Sequence, residues 1–190
     1  MLRKSLYLKK REDKRLRAGH LWVYSNEVDT KKSPLKSFDA GEMVNVLSAE
    51  GKNLGSAYVN PHSLIAARVY DERKNIELNQ TWFEQRLAYA LSLRENLFDQ
   101  PYYRLCFSEG DYLPGLVIDR FKDCFVLQMN TAGMERVKAA LFAALERLFD
   151  VSLMVLRNDS PSRVLEGLTQ YTEVIKGEVT DVIWMEENNT

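Results

Sequence analysis

The hydrophobic pattern changes period about 80 residues into the chain. Before that point the apolar positions come in short runs, Ser5–Leu8, Leu21–Ser25, Met43–Ser48, Leu54–Val59 and Leu64–Tyr70. The last of these alternates, with Ile65, Ala67 and Val69 on one face and Ala66, Arg68 and Tyr70 on the other. Leu21–Ser25 is aromatic and β-branched, and all five runs are predicted as strands. Asp13–Ala18 reads as a helical turn ended by Gly19, and residues 29–41 as a polar loop that holds Pro34 and closes at Gly41. Ala49-Glu50-Gly51-Lys52 is a hairpin in which Gly51 supplies the positive φ, and Asn60-Pro61 stops the strand that follows it. Strands this short and closely set predict a small β-barrel.

After residue 80 the spacing becomes helical. Thr81 with Glu84 reads as a capping box, and Phe83, Leu87, Ala90, Leu91, Leu97 and Phe98 mark a helix over 82–98, ending before Pro101. Leu116–Phe121 and Cys124–Asn130 follow as strands around a tight turn at Lys122-Asp123. Met134–Phe149 is apolar at Met134, Val137, Leu141, Leu145 and Leu148, which predicts a second helix. Ser152–Arg157, Tyr171–Ile175 and Val179–Trp184 read as strands. The order is β-β-α-β-β, an α+β domain with one helical layer on a sheet. The division expected is 1–75, a connecting helix over 76–100, and 101–190; no internal repeat is seen.

Composition narrows the class. With 45% apolar residues among 190, the chain can build a core and is neither disordered nor collagen-like. No run of 18 apolar residues occurs, and the first 17 residues are charged where a signal peptide needs its apolar segment. A cytoplasmic protein with no membrane partner is expected. The net charge of −1 hides an asymmetry: residues 1–75 carry 15 Lys+Arg against 9 Asp+Glu, and the remainder 11 against 18. The basic region is densest at Arg3, Lys4, Lys9, Lys10, Arg11, Lys14, Arg15 and Arg17, where only Glu12 and Asp13 intervene. Such a face is either merely solvated or meets a polyanion.

Catalytic chemistry is harder to find. His20 and His62 have no second ligand at a chelating spacing, so no metal site is expected. Cys106 and Cys124 form no CxxC pair and sit in apolar, strand-like settings, which fits small core hydrophobes in a reducing compartment. None of the nine glycines forms G-x-G, and no P-loop is present. Three clusters remain. Arg15 to Tyr24 alternates cations with aromatics around a Gly19 break, the combination that unpaired RNA asks for, although Trp22 or Tyr24 is also expected to fill the core. Glu109-Gly110-Asp111 precedes a Pro-Gly turn opening a strand that carries Asp119. These carboxylates either cap that turn or border a catalytic pocket. Ser160-Pro161 resembles an N-cap and N1 pair, between Arg157-Asn158-Asp159 and Glu166.

Taken in order, these clusters resemble one family. The Arg15 to Val28 run with Gly19-His20, Trp22-Val23-Tyr24 and Ser25-Asn26-Glu27, then Gly41, Gly51 and Tyr58-Val59-Asn60-Pro61, looks like a PUA domain. Glu109 to Asp119, Arg157-Asn158-Asp159 and Glu166-Gly167-Leu168 look like the central domain of the SAM-dependent 23S rRNA (cytosine-5) large-subunit methyltransferases. The fold expected is therefore mixed, a PUA-like small β-barrel followed by the α+β domain. The resemblance implies attack by a cysteine on cytosine C6 and methyl transfer from SAM, both in a third, Rossmann domain lying beyond Thr190. Val182–Glu187 looks like the strand leading into it. No catalytic role carries over to Cys106 or Cys124, and no cofactor is expected on this chain itself.

Structured RNA, as 23S rRNA, is the partner implied, and a homodimer is compatible. RNA contacts are expected at Lys10, Arg11, Arg15, Arg17 and His20, with Trp22 or Tyr24 stacking and Lys52 and Arg68 in support. Glu109, Asp111 and Asp119 are expected to border the active site. Two other classes stay open: a stand-alone RNA-binding adaptor, and a protein-interaction or dimerisation module working through its acidic half.

Overall fold

The computed structural model describes residues 3–179. Its first sheet contains β1 (Ser5–Tyr7), β2 (Trp22–Tyr24), β3 (Glu42–Leu47), β4 (Asn53–Val59) and β5 (Ile65–Asp71), in the order β1-β3-β4-β5-β2. The single helical turn α1 (Lys14–Arg17) precedes β2. β1 pairs parallel with β3, and the other neighbours are antiparallel. An isolated bridge between Leu8 and Val28 joins the two edges, so the sheet curls toward a barrel. Leu6, Leu8, Val23, Val28, Val44, Val46, Ala57, Val59, Ala67 and Val69 fill its interior. Gly51 takes φ +81° at the β3–β4 turn, as its position demands.

The second sheet has the order β10-β9-β8-β7-β6, built from β6 (Tyr102–Phe107), β7 (Leu116–Phe121), β8 (Cys124–Met129), β9 (Leu153–Asn158) and β10 (Tyr171–Lys176). Helix α2 (Gln80–Glu95) comes before it. The chain crosses from β8 to its parallel neighbour β9 through α3 (Ala132–Arg136) and α4 (Lys138–Leu148), and α4 packs on α2 as the helical layer. The short α5 (Ser162–Leu165) lies between β9 and β10. The mixed architecture is the one expected, a PUA-like curled sheet and an α+β unit.

Four local expectations need correcting. β6 was not expected as a strand of its own; a register shift between Arg104 and Cys106 buries Leu105 and Cys106 side by side and erases the alternation that marks a strand. The cap of α2 is Asn79, whose Oδ1 accepts from the Trp82 N–H at 2.9 Å, and not Thr81. Glu84 accepts instead from Gln80. The helix ends at Glu95, so Leu97 and Phe98 lie past it and stay exposed. The 134–149 helix is broken at Val137, φ −112°, into a piece that seats the first sheet and a piece that covers the second. No strand covers Val179, and the rest of Val179–Trp184, like Val182–Glu187, lies outside the described residues.

One side chain does most to fix the two sheets together. Tyr58 of β4 is buried, stacks on Tyr70, and donates to the Pro114 carbonyl at 2.6 Å while accepting from Thr131 Oγ1 at 3.1 Å. Its ring lies on bare backbone at Gly133 of α3, where a Cβ would fall 2.1 Å from it. Burial raises the Tyr58 phenol far above its ordinary range, so the hydroxyl stays protonated and keeps donating. Tyr70 extends the stack to Trp82, its own phenol pushed up to about 12, chiefly by burial. Tyr58, Tyr70, Trp82, Leu113, Met129 and Met134 share one core cluster, so the sheets are joined by packing as well as by chain.

Candidate nucleic-acid interface

The cations at the start of the chain divide by what the fold offers them. Arg3 points inward, donating to the Ile76 carbonyl at 2.6 Å and the Tyr70 hydroxyl at 3.3 Å. Lys4 pairs with Glu42, and Lys9 donates to the Asn26 carbonyl. Arg17 pairs with Asp13 one helical turn earlier at 2.6 Å, and this hydrogen bond lowers the Asp13 carboxyl. Lys10 and Arg11 are exposed and hold no partner among the described residues, while the exposed Lys14 lies beside Asp13, whose carboxyl its charge helps to lower. Of the expected RNA contacts, Lys10, Arg11, Arg15 and Arg17 thus form one basic strip, while the exposed Lys52 stands at the β3–β4 turn.

The strip leads onto β2. Val23 faces the core, while Trp22 and Tyr24 both face outward and are half-buried, so neither ring is the core residue one of them was expected to be. Arg15 lies over Tyr24 at 4.8 Å and donates to the buried Glu27 at 3.2 Å. Trp22 has a different neighbourhood. Its indole N–H donates to Glu109 Oε1 at 2.6 Å, and the Arg68 guanidinium lies 5.3 Å from its ring. Arg68 also donates to Glu109 at 2.8 Å and to Glu166 at 3.4 Å, and Asn60 donates to Glu166 at 2.8 Å. Residues from four separate stretches of chain therefore meet in one polar junction. Burial works to raise the Glu109 carboxyl, but Ser108, Trp22 and the Arg68 charge outweigh it and hold the group below its ordinary range.

The other two carboxylates of the acidic loop serve the frame. Asp111 takes both guanidinium nitrogens of Arg94 at 2.6 Å and the Phe107 N–H at 2.6 Å, tying the loop to α2. Asp119 pairs with Arg104, its cross-strand partner on β6, at 2.8 Å. Cys106 is buried, its thiol raised by burial and donating to the Leu116 carbonyl, a poor state for a nucleophile. Among the described residues no cluster of His, Cys, Asp and Glu is arranged to hold a metal ion, and no helix is long and apolar enough to cross a membrane.

Depressions flank the junction. On one side a groove of about 320 Å³ runs along Gly19–Trp22, Glu109, Gly110 and Tyr112, and this is where His20 sits. On the other a cleft of about 590 Å³ opens between Tyr24, His62–Ile65 and Arg68 of the first sheet and Ser108, Gly115, Asn130, Thr131 and the 162–166 turn of the second. Sequence reasoning missed Asn60, Asn130 and the cleft's leucines as site residues. Only Asn60 had a signal, lying in a motif quoted for its resemblance.

Residues 6–72 match the PUA-like domain family. Ribosomal RNA large subunit methyltransferase I of Tolumonas auensis is 34% identical over 97% of this chain, which spans 47% of that protein. The enzyme of the same name from Aliivibrio fischeri is 36% identical with the same two shares. The chain thus spans about half the length of the curated relatives it matches. A SAM-dependent methyltransferase structure from Streptococcus mutans superposes with TM-score 0.74 at 18% identity, over 94% of this chain and 44% of that one. That likeness is one of fold.

Proposed function

We propose that this chain is the RNA-gripping and substrate-positioning part of a SAM-dependent methyltransferase acting on cytosine C5 of 23S rRNA. Methyl transfer then belongs to the half of the relatives' length that the chain does not span. The observation that carries the reading is the identity of 34–36% over 97% of the chain to enzymes named for large-subunit rRNA. The basic strip beside the aromatic β2 supports it, because free cations hold phosphates while rings and guanidinium planes take bases.

The role derives from what the target base must do. A cytosine has to leave its stack before its C5 is reachable, so affinity must come from the surrounding RNA. Lys10, Arg11 and Lys14 supply phosphate contacts, and the stacked Arg15–Tyr24 pair fixes the register at which RNA meets the junction. Because Tyr58 binds the two sheets into one packed body, that grip also sets an angle for whatever follows β10.

SAM fits poorly on the described residues. The β8–α3–β9 crossover is the place for a nucleotide-binding turn. Its Gly133 is already covered by the Tyr58 ring, so no step is routed through the cofactor here.

RNA affinity tests the reading. Binding should weaken with salt, with a log–log slope of about −0.7 per phosphate contacted on single strands. Arg15→Glu with Arg17→Glu should lower affinity and flatten that slope. Lys10→Glu with Arg11→Glu should do the same, at positions where no folded-state partner is lost. Undetectable binding at low salt, or an unchanged slope in both double variants, would refute the assignment.

A further inference from the structure

Tyr112 ends the acidic turn in the left-handed region, at φ 57° and ψ 30°. A bulky L residue seldom takes that conformation, which glycine or asparagine adopts far more readily. Burial does not explain the choice, because the residue is 48% exposed. What holds the ring is Arg86 of α2, whose guanidinium lies 5.7 Å from its centroid. Arg86 in turn pairs with the buried Asp71 at 3.4 Å and lies over the Trp82 ring at 5.3 Å. The tyrosine is thus steadied by a cation that is itself anchored.

The uncovered part of the ring faces a trough. Tyr112, Gly19, His20 and Leu21 line both the 320 Å³ groove beside Trp22 and a second depression of about 380 Å³ that reaches residues 69–73. Arg86 lines the second and not the first, so the ring meets the groove with no guanidinium between them. At Gly19, φ +89°, a Cβ would meet nothing within 4 Å, and the trough is open there. Leu16 also lines it, so the trough starts at the foot of α1, the turn that carries Lys14, Arg15 and Arg17.

Charge does not select a ligand here, since Asp71 is held by Arg73 and Arg86, and Glu109 by Arg68. Access to a ring does. Trp22 spends its indole N–H on Glu109 and has Arg68 over its ring, while Tyr24 has Arg15; both are half-buried. Phe107 is more exposed than Tyr112, at 58%, and also has a guanidinium over it, from Arg104. It lies in a different depression, with Leu97 and Phe98, in which α1 takes no part.

We propose that Tyr112 is a stacking platform for one base of an unpaired stretch of RNA whose phosphates lie along α1. The base enters the groove past Gly19 and lays its face on the part of the phenol ring that Arg86 leaves uncovered. Stacking reads a π-face and not a hydrogen-bonding edge, so the site accepts any base. The proposal rests on the RNA reading above and gives the second sheet's unit a direct contact with RNA.

The test uses the full chain and two probes with equal numbers of phosphates, a short oligoadenylate and an abasic oligomer. Tyr112→Asn should cut oligoadenylate affinity about tenfold, the size of one stacked base, and leave binding of the abasic oligomer unchanged. The salt slope should stay as in wild type, because no phosphate contact is lost. The variant should melt no lower than wild type, since asparagine tolerates the left-handed backbone. Tyr112→Gly, which carries no backbone penalty there, should behave in the same way. Tyr112→Phe keeps the ring and should bind as wild type does, and so should Phe107→Ala. Unchanged oligoadenylate affinity in Tyr112→Asn and Tyr112→Gly, or an equal loss in Tyr112→Phe or Phe107→Ala, overturns the platform and leaves the RNA reading standing. Failure of the wild-type chain to bind either oligomer at low salt overturns both.

Discussion

The basic strip and the polar junction use the same residue types at opposite densities of partners. Along Lys10–Lys14 cations outnumber carboxylates, and Lys10 and Arg11 face solvent unmatched. At the junction, Arg68 is caught between Glu109 and Glu166, stacked on Trp22 and largely buried. An arginine's role therefore follows from whether the fold brings a carboxylate to it. In the strip the complementary charge must arrive from outside, whereas in the junction it is already present.

Substitutions sharpen this contrast, and the largest effect is expected where a cation is most fully matched. Arg163 is buried, donating to the Met129 and Thr169 carbonyls and pairing with Glu135 at 3.0 Å. Arg163→Ala should cost about 3–5 kcal/mol, as for other broken buried pairs, read from urea unfolding. Arg68→Ala should cost about 1.5–3 kcal/mol and change Trp22 fluorescence, because two carboxylates then face each other without their shared donor. Lys10→Ala and Lys14→Ala should each stay within about 0.5 kcal/mol of wild type in the same assay, yet weaken RNA binding. A stability loss at Lys10 as large as that at Arg68 would erase the distinction.

Acid should act on the junction most gently of all. Glu109 has a lowered folded-state pKa, so its contribution is complete above the ordinary glutamate value of about 4.3 and is lost as pH falls through the folded value. The unfolding midpoint should decline on acidification below that point, and Glu109→Gln should remove part of the decline. An identical pH profile in that variant would mean that other carboxylates, such as Asp71, dominate. Burial alone would raise Asp71, but hydrogen bonds from Arg73 and Trp82 hold it well below its usual range.

Much of the fold was legible because its apolar runs are bounded by turn residues. The β3–β4 hairpin, the β7–β8 turn and the α4 stripe all follow local period and turn chemistry. β6 was not legible, since its bulge breaks the period and exposed Arg104 and Phe107 interrupt its apolar run. The cap of α2 was ambiguous because Asn79 and Thr81 are both capping types, and only the geometry of the Trp82 N–H chooses between them. The site was legible as motifs and not as contacts. Trp22 and Glu109 lie 87 residues apart, and Asn60 and Glu166 lie 106 apart. No periodicity links such positions; Tyr58, seated on Gly133, is what brings them together.

The same seat has a consequence in time. Tyr58 belongs to the first sheet, but its hydrogen-bond partner Thr131 is made 73 residues later. At about 5–20 residues per second, a ribosome takes roughly 4–15 s to span that interval. During it the first sheet has been made with a large aromatic side chain that has Tyr70 beside it but lacks its Pro114, Thr131 and Gly133 contacts. The nascent chain therefore passes through a stage at which its N-terminal half is complete in sequence and still offers a sticky ring to chaperones.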